Sequence, residues 1–233
     1  MADKHHHSHH FDSAEQEFEA SKFGVWVFLC TEILMFGGLF VGYILYAGKY
    51  PDVFEAGSKF LDWKLGAVNT AVLLLSSYTI AVSIRNVQTG ETQKAIKNMI
   101  ITLICGFAFM GIKAYEYNHK FHLGLYPGKY FNYQADHSSH SSVDASHGSD
   151  HGEVVHMDKL PENIPMYFSF YFMMTGIHGS HVLIGMALIF WCLLRARRDE
   201  FSPEYYTGLE GAALFWHLVD LVWIYLFPLL YLV

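Results

Sequence analysis

The sequence predicts an all-α integral membrane protein, a bundle of five transmembrane helices. Of its 233 residues, 52% are hydrophobic and only 16% are charged, whereas a soluble domain carries about a quarter charged residues. The charged residues are concentrated in short stretches between long apolar runs. A formal net charge of −7 without a basic stripe excludes a nucleic-acid-binding protein. The high hydrophobicity excludes disorder over most of the chain.

Five apolar runs have the length that a membrane-spanning helix requires. A bilayer core of roughly 30 Å is crossed by about 20 residues of α-helix. The predicted spans are 23–47, 65–84, 98–118, 165–194 and 211–233. We divide the chain into a His-rich, acidic N-terminal tail (1–21) and a transmembrane domain (22–233), whose outer loop (119–164) is rich in His and Ser.

The basic residues in the loops predict the orientation of the bundle. Loops 85–97 and 195–198 each hold three Lys or Arg residues in a short stretch, whereas loops 48–64 and 119–164 spread three over more residues. Because cytoplasmic loops are enriched in Lys and Arg, we place the N-terminus in the cytoplasm and the C-terminus outside. The first span starts too late and is too long for a cleaved signal peptide.

Glu32 is the only charged residue of the first span and lies near its middle. On a helix it shares a face with Phe28 and Phe36. Burial among such side chains favours the neutral form of a carboxyl group, so we expect Glu32 to be protonated at neutral pH. Two interpretations stay open: a carboxyl that relays protons or contacts a lipid or quinone, and one that only bonds to a neighbouring helix.

His178 and His181 lie three residues apart on one side of the fourth span. Such a pair can ligate a metal or haem, but a hydrogen bond to an adjacent helix is the favoured interpretation. Only one more histidine, His217, lies within the predicted spans, which is too few for a centre of two haems and one copper. Thr175 with Gly179 and Gly176 with Ser180 are pairs of small residues four apart, which would let another helix approach closely.

The fifth span carries Glu210, His217 and Asp220 along one stripe. Because residues three apart are neighbours on a helix, we predict that His217 and Asp220 pair. In the third span, Lys113 and Glu116 lie one turn apart near the outer end. An ion pair or snorkelling there needs no functional role.

Two further features allow both a functional and a structural interpretation. Arg195, at the cytoplasmic end of the fourth span, either binds a lipid phosphate or is an ordinary basic flank. The interrupted histidine run 5–10 and the outer loop suit a transition metal, but we favour a flexible, solvated segment. The sequence contains no Walker loop, nucleophile elbow or redox CxxC motif.

Motifs in all five spans occur together in the order of a known family. They are Trp26-Val27-Phe28-Leu29 with Glu32 and Phe36, Asn69-Thr70, Ala114-Tyr115-Glu116-Tyr117, Thr175 to Val182, and Phe215-Trp216-His217 with Asp220 and Trp223. With these motifs the chain resembles subunit III of the haem–copper oxidases, in the five-helix form found in many bacteria.

The resemblance implies a non-redox subunit of a proton-pumping cytochrome c oxidase, which reduces oxygen to water in aerobic respiration. Such a chain has no catalytic residue or metal of its own, because haem and copper lie in subunits I and II. It packs on subunit I in the bacterial cytoplasmic membrane, binds phospholipid and sustains proton uptake and turnover. A respiratory supercomplex is a further candidate partner.

The resemblance also assigns roles to particular residues. Glu32 matches the buried carboxyl of the family that reacts with carbodiimides. Arg195, His217 and Glu210 match positions near lipid headgroups, and Trp26 is a further lipid-binding candidate. His178, His181, Asp220 and Glu116 are expected as buried polar residues in helix packing. Two departures are that Lys113 replaces a frequent Gln and that the first two helices of the seven-helix form are absent.

The sequence is also compatible with functions other than that of a cytochrome c oxidase subunit. The sequence discriminates poorly between a cytochrome c oxidase and a quinol oxidase, because subunit III does not carry the donor site. A relative attached to a nitric oxide reductase, a structural assembly factor and an independent proton-coupled transporter are less favoured. A transporter would predict internal repeats and broken helices. The histidine-rich outer loop suggests a role in copper handling or in docking an electron donor.

Overall fold

The structure, a computed structural model, describes residues 14–122, 125, 161, 163–201 and 206–232. The helices in these ranges are α1 (Ala14–Lys49), α2 (Pro51–Ser58), α3 (Trp63–Gln88), α4 (Thr92–His122), α5 (Ile164–Ala196) and α6 (Thr207–Tyr231). All except α2 are long and apolar enough to cross a membrane. The predicted all-α, five-helix membrane bundle is therefore confirmed.

Helices α3 to α6 form a closed ring, in which α3 and α5 each pack against both α4 and α6. Helix α1 lies outside this ring against α5 and α6, and α2 packs on α5. Within its most apolar window, α6 has 56% of its residues buried, whereas α1 has only 11%. The outer helix therefore presents most of its apolar surface to lipid or to another protein.

The helices extend beyond the apolar runs from which the spans were predicted. Helix α1 begins at Ala14, within the segment predicted as a tail, and α4 continues to His122, within the predicted outer loop. The short helix α2 was not predicted, because it is too short to be found as a membrane span. Pro51 occupies its first turn, where a missing N–H costs nothing, and its Val53 and Phe54 side chains are buried.

A tight turn makes α3 and α4 antiparallel neighbours. The Asp62 carboxylate caps α3 by accepting the backbone N–H of Lys64 at 2.9 Å. At the other end, Gly90 has a φ of +76°, a left-handed conformation that glycine adopts without steric cost. Between the two helices, the buried Thr79 and Thr102 hydroxyls bond at 2.8 Å.

Gly185 on α5 is a point of close helix approach, where a Cβ atom would come within 2.8 Å of the Trp216 ring. Trp216 is buried, and its Nε1–H donates to the Ser76 Oγ at 3.0 Å. By contrast, a Cβ atom at Gly176 or Gly179 would meet nothing within 4 Å. The two glycines of the predicted motif are therefore not points of close approach, whereas its Thr175 is buried and bonds to the Tyr117 hydroxyl on α4.

Candidate functional site

A buried ionic cluster joins α4, α5 and α6 near one end of the bundle. The Glu116 carboxylate accepts from Lys113 Nζ at 2.9 Å and from Lys120 Nζ at 2.6 Å. It also accepts from the Tyr231 hydroxyl at 2.7 and 2.8 Å and from the Tyr171 hydroxyl at 3.0 Å. Every lone pair of the carboxylate is thereby engaged by donors from three helices.

Of the two alternatives predicted for Lys113 and Glu116, the structure has the ion pair and not snorkelling, because the cluster is shielded from solvent. The two residues are 7% and 6% exposed, and Lys120 is only 2% exposed. Sequence reasoning missed Lys120, although its spacing of four residues from Glu116 places it on the same helix face. The tyrosines come from other helices, so no pattern within α4 could have indicated them.

A second buried pair joins α1 to α5. Glu32 Oε2 lies 2.9 Å from His181 Nε2, and both side chains are 14% exposed. The Phe36 ring packs edge-on against the His181 ring, with 5.3 Å between the centroids. Glu32 therefore makes the hydrogen bond to a neighbouring helix that one of its two interpretations requires.

The hydrogen bonds of His181 fix how many protons the pair holds. Its Nδ1 lies 2.7 Å from the Ile177 carbonyl oxygen, and because a carbonyl can only accept, Nδ1 carries a hydrogen. Nε2 and Glu32 then bond through one shared proton, held either by a neutral carboxyl or by an imidazolium. The pair thus links α1 to α5 through one hydrogen bond.

His178 behaves differently from His181. It is 1% exposed and stacks on the Trp223 ring with 5.3 Å between the centroids, while the Phe109 ring packs edge-on against it. Neither ring nitrogen has a hydrogen-bond partner in the described residues. The expected bond to an adjacent helix is therefore present for His181 and not for His178.

His217, in the predicted stripe of α6, bonds to α3 and not along its own helix. His217 Nδ1 lies 3.0 Å from the Ser77 Oγ, and Trp223 Nε1–H donates to the Thr70 Oγ1 at 3.1 Å. Asp220 is 4% exposed, and its Oδ1 has no partner in the described part of the chain. This corrects the predicted pairing of His217 with Asp220, because α3 packs on that face and supplies a hydroxyl group.

The lipid-binding candidates lie near the ends of α5 and α6 and along α1. Arg195 Nε donates to Glu200 Oε2 at 2.7 Å, and its guanidinium lies 4.9 Å from the Trp191 ring centroid. Glu210 pairs with Lys22 at 3.4 Å, which joins the start of α6 to α1. Trp26 is 56% exposed on α1. An immobilised arginine beside an indole and an exposed tryptophan are suited to a lipid headgroup and its interface.

A metal centre has no ligand set in the ranges that the structure describes. They contain no group of three or more His, Cys, Asp or Glu side chains that could hold a metal ion. The histidine run 5–10 and nearly all of the outer loop lie outside the described residues. Their suggested roles in metal binding and donor docking stay predictions.

A known protein family matches the chain over all five membrane-spanning helices. The sequence model of the family "Cytochrome c oxidase subunit III" matches residues 3–140 and 163–233. The chain belongs to this family. The resemblance inferred from the motifs is thereby confirmed, and the chain is a subunit III of the haem–copper oxidases. Membership implies oxidase partner subunits and agrees with the five membrane-spanning helices.

Members of the family from distant organisms resemble the chain to a similar degree. Cytochrome c oxidase subunit 3 of Thermostichus vulcanus is 29% identical, over 95% of this chain and 91% of its own length. The Carassius auratus protein of the same name is 28% identical, over 90% of this chain and 68% of its own. A protein of Staphylococcus saprophyticus named "Probable quinol oxidase subunit 3" is 27% identical, over 98% and 96% of the two chains.

Proposed function

We propose that the chain is the non-redox subunit III of a proton-pumping cytochrome c oxidase. It packs on subunit I, binds phospholipid and sustains proton uptake and turnover, while haem and copper remain in subunits I and II. The observation that carries this proposal is the family match, which extends over all five spans. We place the complex in a bacterial cytoplasmic membrane, with the N-terminus cytoplasmic and the C-terminus outside.

The surroundings of the three membrane histidines support an accessory role for this chain. His181 is engaged by Glu32 and by the Ile177 carbonyl, His178 is sealed between aromatic rings, and His217 is held by Ser77. These three histidines lie in separate surroundings and do not fit a haem or copper site. We therefore propose no redox step on the described residues.

Removal of this subunit from the purified oxidase tests the proposed role. We expect the depleted enzyme to keep its haem spectrum and most of its initial rate of oxygen reduction. Proton uptake during turnover should be slower, and the enzyme should inactivate sooner; adding the chain back should reverse both effects. Loss of haem or of all initial activity on depletion would contradict an accessory role.

A quinol oxidase is the second candidate, because the Staphylococcus relative with that name covers almost the whole chain. The two candidates differ in the electron donor of the complex, which this subunit does not bind. Oxidation of reduced cytochrome c by the purified complex, together with a copper-binding subunit II, would support the first. Oxidation of quinol without such a subunit would support the second.

Glu32→Gln is expected to leave assembly intact and to change initial oxygen reduction little. A glutamine amide can still donate to His181 Nε2, so the stability cost should stay below about 1 kcal/mol. Because the amide cannot release a proton, we expect faster inactivation during prolonged turnover. Glu55→Gln, at a side chain that is 64% exposed and paired with Lys59, is the control. A Glu32→Gln enzyme without haem or initial activity would refute the prediction.

Arg195→Ala is expected to loosen bound phospholipid and to shorten the working life of the enzyme. Loss of a charge-assisted contact to phosphate should weaken retention of an anionic lipid about tenfold. Mass spectrometry of retained lipid and the kinetics of inactivation measure the two effects. Arg198→Ala is the control, since Arg198 is 74% exposed and lies 3.9 Å from the same Glu200. Unchanged lipid content and lifetime would contradict the assignment.

A further inference from the structure

The ammonium group of Lys113 is enclosed by aromatic rings. It lies over four of them, with distances from Nζ to the ring centroid of 4.7 Å for Trp223, 5.3 Å for Tyr231, 5.4 Å for Tyr171 and 5.9 Å for Tyr117. A cation within about 6 Å of a ring centroid is attracted by the negative face of the ring. These rings come from α4, α5 and α6, so three helices enclose the ammonium group. We call the rings of Tyr117, Tyr171, Trp223 and Tyr231 the aromatic cage.

Oxygen acceptors complete the surroundings of the same ammonium. Lys113 Nζ donates to Glu116 Oε2 at 2.9 Å and to the Tyr231 hydroxyl at 2.8 Å, with the Tyr171 hydroxyl at 3.4 Å. An ammonium group has three hydrogens to donate, and three oxygens surround it here. A carboxylate, hydroxyl oxygens and ring faces are the groups that recognise a primary ammonium ion.

The second lysine of the cluster shares only the Tyr171 side chain of this cage, since Lys120 Nζ also donates to the Tyr171 hydroxyl at 3.3 Å. Lys120 Nζ bonds to the other carboxylate oxygen, Glu116 Oε1, at 2.6 Å and lies over the Tyr171 ring at 4.7 Å. It is also attracted by the Asp62 carboxylate at the start of α3. Lys113 and Lys120 therefore occupy distinct positions, and only Lys113 lies over the Trp223 ring among the described contacts.

We propose that Glu116 and the rings of Trp223, Tyr231 and Tyr171 form a binding site for a primary ammonium ion, which the protein fills with its own Lys113 side chain. The bound ammonium holds α4, α5 and α6 together at this end of the bundle. If Lys113 is shortened, the site accepts a small alkylammonium from solution. This site is separate from the Glu32–His181 pair, and the inference does not depend on the proposed oxidase function.

Chemical rescue of Lys113→Ala tests the site directly. The substitution removes three methylene groups and the ammonium, which n-propylammonium replaces. In the full-length chain in mild detergent, we expect the midpoint of thermal unfolding to fall by about 10 °C. Added n-propylammonium chloride should restore most of this loss with a saturable concentration dependence. Tetramethylammonium, which has no N–H to donate, and sodium at equal ionic strength should restore little.

Two control variants distinguish specific binding of n-propylammonium from a general stabilising effect of salt. Lys94→Ala removes a lysine of the same helix whose ion pair with Glu91 has the same spacing of three residues but is exposed, so it should not respond to n-propylammonium. Lys113→Met fills the cage with an uncharged chain and should be destabilised without rescue. A folded Lys113→Ala that does not respond, or an equal response in either control, would overturn the proposal.

If Lys113→Ala is not recovered as folded protein, the same ligand is added during solubilisation from the membrane. Recovery of folded protein with n-propylammonium and not with tetramethylammonium supports the site. Equal yields under the two conditions would overturn it.

Discussion

Replacement of Glu116 by Ala is expected to cost about 3–5 kcal/mol of unfolding free energy, the largest loss among the single substitutions proposed for this chain. Glu116 is 6% exposed and forms ion pairs with two ammonium groups that are themselves buried. Without the carboxylate, Lys113 and Lys120 repel each other in a low dielectric medium, and among the described residues Asp62 still attracts Lys120. The hydroxyl groups of Tyr171 and Tyr231 also lose their acceptor.

Unfolding of the full-length chain in mild detergent, followed by circular dichroism during heating, measures this effect. Glu91→Ala is the matched control, because its ion pair with Lys94 is exposed and exposed pairs contribute about 0–1 kcal/mol. We expect the control to unfold near the temperature of the wild-type chain. A Glu116→Ala chain as stable as this control would show that the cluster does not join the helices.

Gly185→Ala is expected to destabilise the bundle by about 1–3 kcal/mol, because it overpacks the centre of the helix ring. The added methyl would lie 2.8 Å from one atom of the Trp216 ring. That ring is also packed closely against α4, since a Cβ at Gly106 would lie 3.1 Å from its Cη2 atom. Its Nε1–H bond to Ser76 also ties it to α3.

Gly179→Ala supplies a control on the same helix with the same chemical change. A Cβ at Gly179 meets nothing within 4 Å, so the substitution should be neutral or slightly stabilising, because alanine favours a helix over glycine. Thermal unfolding of both variants in detergent makes the comparison. Equal stability of the two would contradict the central position of Trp216 in the packing.

The fold class could be predicted because it rests on local properties of the chain. Five long apolar runs indicate five membrane helices whatever their partners are. The short helix Pro51–Ser58 could not be found in this way, since its Val53 and Phe54 become buried only against α5 and α1. The role of Gly185 in packing likewise could not be found, since it depends on which neighbouring helix presents a bulky ring.

The polar residues of the site were predicted individually, but their partners were not. Periodicity places residues on faces of one helix, so it suggested His217 with Asp220 and had no means of finding Ser77 on α3. The Glu32–His181 bond joins residues 149 positions apart, and the Glu116 cluster draws tyrosines from two other helices. Such contacts follow from the helix arrangement, which a single sequence does not determine.

The central claim is that this chain works as subunit III of a haem–copper terminal oxidase. Purification through this chain in mild detergent, with a visible spectrum and mass spectrometry of the co-purifying proteins, tests it most directly. We predict an a-type haem signal together with subunit I and a copper-binding subunit II. A solitary, haem-free protein would contradict the account and would make an independent proton-coupled transporter the leading alternative.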